Sequence, residues 1–382
     1  RTPLGTAWLA LKGWGAPEVW TSFHPALGLA KSLGRHEALV PILYGLWANV
    51  MTQGRIAESL AWVNEMLATA EASGDPELLI VGHRAACTTH FYRGDFNRSR
   101  VHGDRVLALY SEEQHRHLAD IMNTDPKTGA GIYVSLVAWM LGYPERAVQL
   151  CDANVAHARR RGHPFDLGFA LTASGQVSDY RCEPERLLAR VEEAERLGRA
   201  HSLPVIYDEL AQIIKGLAWL RAGRLADGIP RLRGAIERWN AGGAEVWMPY
   251  LRATLAEGLA LTGYIDGGLS LIEESLAQIA RPGGEERSHL AEILRLKGWM
   301  LQQQGKLDAA EDNYLASLDV GREQQAKSWE LRTSTSLARL WQSQGKRKEA
   351  YDLLAPVYGW FTEGFDTHDL LEAKALLDRL QA

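Results

Sequence analysis

From Leu294 to Val320 the apolar residues keep a helical rhythm that is interrupted once. Leu294, Lys297, Gly298 and Leu301 recur at three- and four-residue spacing, which puts them on one helical face. Gly305 then ends that helix, because glycine enters the left-handed backbone without strain. Leu307, Ala310, Tyr314 and Leu318 resume the period. The stretch predicts two helices joined by a tight turn. Gly298, Gly305, Ala310 and Tyr314 stand 7, 5 and 4 residues apart, so small residues let the helices approach and the tyrosine fills the gap beyond.

The same unit recurs along the chain. Its turn markers are Gly15, Gly54, Gly94, Gly142, Cys182, Gly223, Gly263, Gly305 and Gly345, at intervals of 39, 40, 48, 40, 41, 40, 42 and 40. A small residue often stands seven before the marker (Ser135, Gly175, Gly216, Ala256, Ala338) and another five after it (Ser99, Ala147, Gly228, Gly268, Ala350). These are the offsets of a tetratricopeptide repeat (TPR), a helix–turn–helix unit of about 34 residues. The expected fold is all-α: a right-handed α-α superhelix, a TPR-like solenoid, of about nine repeats and about nineteen helices. The whole of 1–382 reads as one repeat domain. Its repeats run over 1–35, 36–74, 75–115, 129–164, 165–203, 204–245, 246–284, 285–325 and 326–362, and a capping helix over 366–381. In such an array each repeat buries its apolar stripe only against its neighbours, and stability is close to a nearest-neighbour sum.

Local signals refine the picture. Asp75-Pro76 supplies an N-cap and a first-turn proline. Tyr143-Pro144-Glu145 and Pro184 open later helices in the same way. The single long interval implies an insertion between Ser111 and Gly131, whose Asn123–Gly131 part is turn-rich and expected to be a loop. Arg281-Pro282-Gly283-Gly284 is a breaker between repeats.

Composition narrows the function classes. A net charge of −5 leaves no basic footprint, so no direct nucleic-acid partner is expected. No apolar run approaches the ~18 residues of a membrane span. Three scattered cysteines, Cys87, Cys151 and Cys182, suit a reducing compartment, and the expected localisation is cytoplasmic. The chain opens on Arg1 inside a helical pattern, so it reads as a piece of a longer polypeptide.

The search for chemistry returns little. Glu113 and His117 are four apart in the insertion, beside His115, and would share a helix face able to hold a divalent metal. His36-Glu37 begins like a zinc-protease helix, but Val40 stands where the second histidine belongs. Lys127-Thr128-Gly129-Ala130-Gly131 lacks the upstream glycine of a phosphate loop and reads as a turn. No catalytic residue, metal site or cofactor is assigned. Most of the 13 tryptophans, Trp47, Trp62, Trp219 and Trp341 among them, read as packing residues. In TPR arrays the first helix of each pair lines a concave groove. Carrying that register over nominates Tyr44, Arg84, Thr88, Trp139, Gln176, Asp179, Tyr250, Glu257, Arg295, Trp299, Arg332 and Arg339 as a partner-binding surface, with aromatic anchors and charges to select what binds.

The tail Ala355-Pro356-Val357-Tyr358-Gly359-Trp360-Phe361-Thr362-Glu363-Gly364-Phe365-Asp366-Thr367 and the early Lys12-Gly13-Trp14-Gly15-Ala16-Pro17-Glu18-Val19 resemble, with the repeats, the C-terminal region of large bacterial regulators. In that family an adenylate/guanylate cyclase or DNA-binding domain precedes a signal-transduction ATPase domain and then this array. The resemblance implies a parent with nucleotide cyclase or ATPase activity, while the unbroken repeat and the missing catalytic constellation lead us to expect that this chain is non-enzymatic, binds a protein, peptide or small ligand and regulates the attached ATPase and cyclase. The alternatives are a self-association scaffold that dimerises the parent and, third, a metal-dependent enzyme using 111–131.

Overall fold

The structure is a computed structural model that describes residues 2–35 and 38–381. These fold as an all-α superhelix with no strand among the described residues. Nine hairpins follow one another: α1 (Thr2–Lys12) with α2 (Pro17–Ser32), α3 (Leu39–Thr52) with α4 (Ile56–Ser73), and α5 (Pro76–Arg93) with α6 (Phe96–Leu109). The insertion holds α7 (Glu112–His115) and α8 (Leu118–Met122). Then come α9 (Pro126–Met140) with α10 (Pro144–Arg161), and α11 (Pro164–Ala173) plus α12 (Gly175–Tyr180) with α13 (Pro184–Ala200). A π-helical turn, Val205–Leu210, leads into α14 (Ala211–Arg221), which pairs with α15 (Leu225–Ala241). The last hairpins are α16 (Met248–Leu261) with α17 (Ile265–Ala280), α18 (Leu290–Gln303) with α19 (Leu307–Glu323), and α20 (Lys327–Ser343) with α21 (Arg347–Tyr358), before the terminal α22 (His368–Gln381). No helix among the described residues is long and apolar enough to cross a membrane.

The helix count exceeds nineteen by three, for local reasons. Two short helices lie in the insertion. One more arises where α11 breaks at Ser174, whose carbonyl accepts from Cys151 Sγ and from Val177 N–H, both at 3.3 Å. The expected loop over Asn123–Gly131 is also corrected. Asn123 takes the left-handed turn (φ 60°), and Asp125 then caps α9 by accepting the Thr128 N–H at 2.8 Å. Lys127-Thr128-Gly129-Ala130-Gly131 is therefore helix rather than turn.

Eight of the nine turn markers sit in the left-handed region, from Gly54 (φ 69°) to Gly345 (φ 80°), Cys182 included (φ 57°). The exception is the first. Gly13 makes that turn (φ 83°), while Gly15 serves a close approach: a Cβ there would lie 2.8 Å from the Gly243 carbonyl oxygen. Cys182 bears a side chain where glycine is favoured, so Cys182→Gly should relieve strain. A gain of about 1 kcal/mol or less is expected, read as a small rise in melting temperature.

The nearest-neighbour expectation fails. The superhelix winds back onto itself, so turns about five repeats apart touch. Thr52 carbonyl oxygen accepts the Glu245 and Val246 N–H groups at 2.8 and 3.1 Å. Tyr92 carbonyl oxygen accepts those of Arg287 and Ser288 at 2.7 and 3.1 Å. Ser328 Oγ donates to the Trp139 carbonyl at 2.5 Å, and Glu363 receives the Glu145 and Arg146 N–H groups at 2.8 and 2.9 Å. Backbone groups left over at hairpin turns are thus paired by the next coil.

Candidate functional site

First helices of the pairs face the superhelix axis, and coil closure turns the expected groove into an interior. At its centre Trp139, Tyr180, Tyr250, His289 and Trp329 pack together, all nearly or fully buried. Trp139 meets Trp329 edge-on at 4.6 Å and Tyr180 at 4.8 Å; Tyr250 lies 4.3 Å from the His289 ring. Tyr180 O–H and His289 Nε2 stand 2.7 Å apart. Burial pushes the His289 imidazole down to about 3, so it is neutral. This aromatic partition separates two cavities of different chemistry.

On one side lies an aromatic chamber with an empty volume of about 830 Å³, open solvent at its mouth included. Tyr44, Arg84, Thr88 and Gln176 of the nominated set border it. Trp14, Trp47, Tyr92, Tyr133, Phe169, Trp239 and Trp247 add seven aromatic side chains to the wall, and Thr124 of the insertion also borders it. Trp47 is thus a wall residue as well as a packing residue. Arg84 is 4% exposed and lies over Tyr133 and Trp47, at 5.3 and 5.9 Å from their centroids. It donates to Thr88 Oγ1. A Cβ at position 129 would collide with its guanidinium, so Gly129 makes the room it occupies.

On the other side is a charged cleft of about 600 Å³, open solvent at its mouth included. Glu257, Arg295, Arg332 and Arg339 of the nominated set line it, with Glu292, Arg221, Asp369 and Glu372. The charges are matched pairwise. Arg295 holds Glu292 at 2.7 and 2.8 Å, Arg332 Nε holds Asp369 at 2.9 Å, and Arg339 meets Glu372 at 3.2 Å. Arg221 bridges Asp179 at 2.8 Å and Glu257 at 2.7 Å, and Tyr250 O–H donates to Asp179 at 2.5 Å. Burial pushes the Glu292 carboxyl up, but Arg295 and Arg332 outweigh it and hold the group below the usual carboxylate range.

The twelve nominated residues therefore divide. Trp139 and Tyr250 belong to the partition, with Asp179 at its edge. Trp299 borders neither cavity; it packs between two apolar clusters of the repeats formed by α16–α21. Register reasoning missed Arg221, which ends its helix, and the tryptophans Trp14, Trp239 and Trp247, which come from turns and second helices. Their only signal was aromatic content at turns, and it becomes meaningful once distant coils meet.

The proposed helix face for a metal does not form. The helix breaks after His115, which accepts the Ser111 N–H at 2.9 Å through Nδ1, while His117 Nε2 turns to Glu77 at 3.1 Å. No group of three or more potential ligands is assembled among the described residues. His36 and Glu37 lie outside the described residues.

One buried carboxyl borders the chamber wall. Glu286 is 3% exposed, and both its oxygens lie 3.1 Å from the Trp247 N–H. Burial pushes it up to about 8 from 4.5. Between those values the folded chain keeps a proton that the unfolded chain has released, so stability falls as pH rises through this window. Glu286→Gln should remove that slope, making the variant the more stable form above the window by on the order of a few kcal/mol. Paired denaturant titrations across pH check this.

No family model and no curated protein matches the chain. Solved structures do. The APC/C hetero-tetramer Cut9–Hcn1 superposes with a TM-score of 0.56 at 12% identity, over 96% of this chain and 60% of that one, so the chain spans less than two thirds of it. A Rap protein complexed with competence and sporulation factor superposes with a TM-score of 0.53 at 10% identity, over 90% of this chain and 97% of that one. A signal transduction ATPase with a tetratricopeptide repeat sensor, from Pyrococcus horikoshii, gives 0.42 at 11% identity, over 85% and 52%. The fold is that of TPR- and Rap-type helical-repeat solenoids.

Proposed function

We propose that the chain is a non-catalytic sensor module whose aromatic chamber takes a small ligand or the tip of a peptide. In this reading, occupancy is relayed to an ATPase and a nucleotide cyclase carried by the same longer polypeptide. One observation supports it above the others: the coiled array surrounds a chamber walled by eight aromatic side chains. A concave, mostly aromatic lining with a few convergent polar groups is what small-molecule sites share. The relay has a physical route. The chamber wall joins Trp47 and Met51 of α3 to Val246 and Trp247 of the next coil, so a ligand touching both sides biases how tightly the coils close. The charged cleft is a weaker candidate, because its arginines and carboxylates already satisfy one another.

The neutral fluorophore N-phenyl-1-naphthylamine tests the chamber. The folded chain should bind it one to one with enhanced emission, and Ala48→Trp, which fills the wall at a buried position, should abolish the signal while the protein stays folded. A folded wild-type chain that binds none of it would overturn the reading.

A further inference from the structure

We infer that the chamber ligand carries an anionic oxygen group, of the carboxylate kind, on a flat apolar body, and that Arg84 is the residue that receives it; this rests on the chamber being a ligand site. Every arginine of the charged cleft has a carboxylate. Arg84 has none among the described residues. The buried carboxylates of the neighbouring Asp125 and Asp166 are engaged by His157 at 3.0 Å and Arg161 at 3.5 and 3.6 Å. A guanidinium is always charged and offers five N–H donors; here the hydrogen bond it makes goes to Thr88.

Holding an unpaired cation away from water is unfavourable, and the Trp47 and Tyr133 faces offset only part of that. A bound anion completes the pairing, and the planar fork suits a carboxylate in two-point contact. A second observation points the same way. Trp14 and Trp247 both line the chamber, and each keeps an indole N–H with no acceptor among the described residues. Trp247 is 4% exposed, so water does not serve it freely. A ligand bearing acceptor oxygens would supply what the donors lack, while the aromatic walls select a flat body.

The test compares 1-naphthaleneacetate with 1-naphthaleneacetamide, which has nearly the same shape without the charge, by quenching of tryptophan fluorescence in the whole chain. The acid should bind on the order of tenfold to a hundredfold more tightly. Arg84→Gln should erase that preference while leaving amide binding intact, and Arg84→Lys should keep part of it. Gly-Gly-Trp as free acid and as amide, run beside them, tells a free acid from a peptide terminus. A preference for the acid form in either pair supports the inference. Equal binding of acid and amide by the wild-type chain overturns the anion assignment and leaves the ligand chamber standing. No binding of any probe overturns both. The wild-type comparison needs no variant, so a misfolded Arg84→Gln would not rescue the idea.

Discussion

Trp329→Ala should lower the unfolding free energy by about 3–5 kcal/mol. The side chain is fully buried and packs edge-on to Trp139 at 4.6 Å and to Tyr180 at 5.7 Å. Its indole N–H also donates to the Ser288 carbonyl at 3.3 Å. Trp139 and Tyr180 lie in repeats far from its own, so the substitution removes contact between coils and leaves a void that the surrounding rings are too stiff to fill. Trp341 is the control. It is half-buried and packs only within the last repeats, so Trp341→Ala should cost appreciably less. Denaturant melts decide between the two pictures. If the coils stabilise one another, Trp329→Ala lowers the midpoint of a single transition. If stability were a nearest-neighbour sum, it would split off a local transition of the last repeats and leave the first five unchanged.

Arg332→Leu is the second large loss expected, about 3 kcal/mol. Arg332 ties α20 to α22 through Asp369, lies against Glu292 at 3.4 Å, and donates to the Tyr180 carbonyl. Its guanidinium also covers the Trp139 and Trp329 rings, 5.1 Å from each. Removing it strands the Asp369 carboxylate. The pH dependence separates this electrostatic loss from lost packing. In the wild type, burial raises the Asp369 carboxyl, but Arg332 and His368 outweigh it and hold the group below 3.8. A depressed carboxylate adds stability above its unfolded value and loses it as pH falls through the folded one. Without Arg332 only His368 opposes the burial that raises the group, so its carboxyl moves up and protonation relieves it. The gap between variant and wild type should therefore narrow in acid, below about pH 4. A gap that stays constant with pH would mean that packing, and not charge, carries the loss. Arg332→Leu with Asp369→Asn should recover part of the stability at neutral pH.

Both substitutions act on contacts between coils, and so does the proposed sensing. The chamber exists because the turn after α3 meets the junction before α16, and the partition because α9 and α12 meet α16, α20 and the residue that caps α18. A ligand, a tryptophan deletion and an arginine deletion would all be read through the same closure.

The hairpin period, the turn residues, the helical cap at Asp75 and the inward face of each first helix are written in the chain itself, because they depend on neighbours three to seven residues away. Gly54 to Gly345 show this most directly: left-handed backbone is cheap for glycine, and seven of the eight glycine markers adopt it. The same local logic nominated Arg84, Thr88, Gln176, Arg295 and Arg332 as inward-facing. It misjudged Trp299 and the Asn123–Gly131 segment, where one residue of register or one Asp-Pro cap decided the outcome. The tertiary structure alone decided that the groove closes into two cavities, that Arg84 has no carboxylate partner among the described residues while Arg332 has one in Asp369, and that Trp14, Trp239 and Trp247 face a common space. Those outcomes depend on curvature summed over about five repeats, where a small change in each hairpin's packing angle moves distant turns into or out of contact.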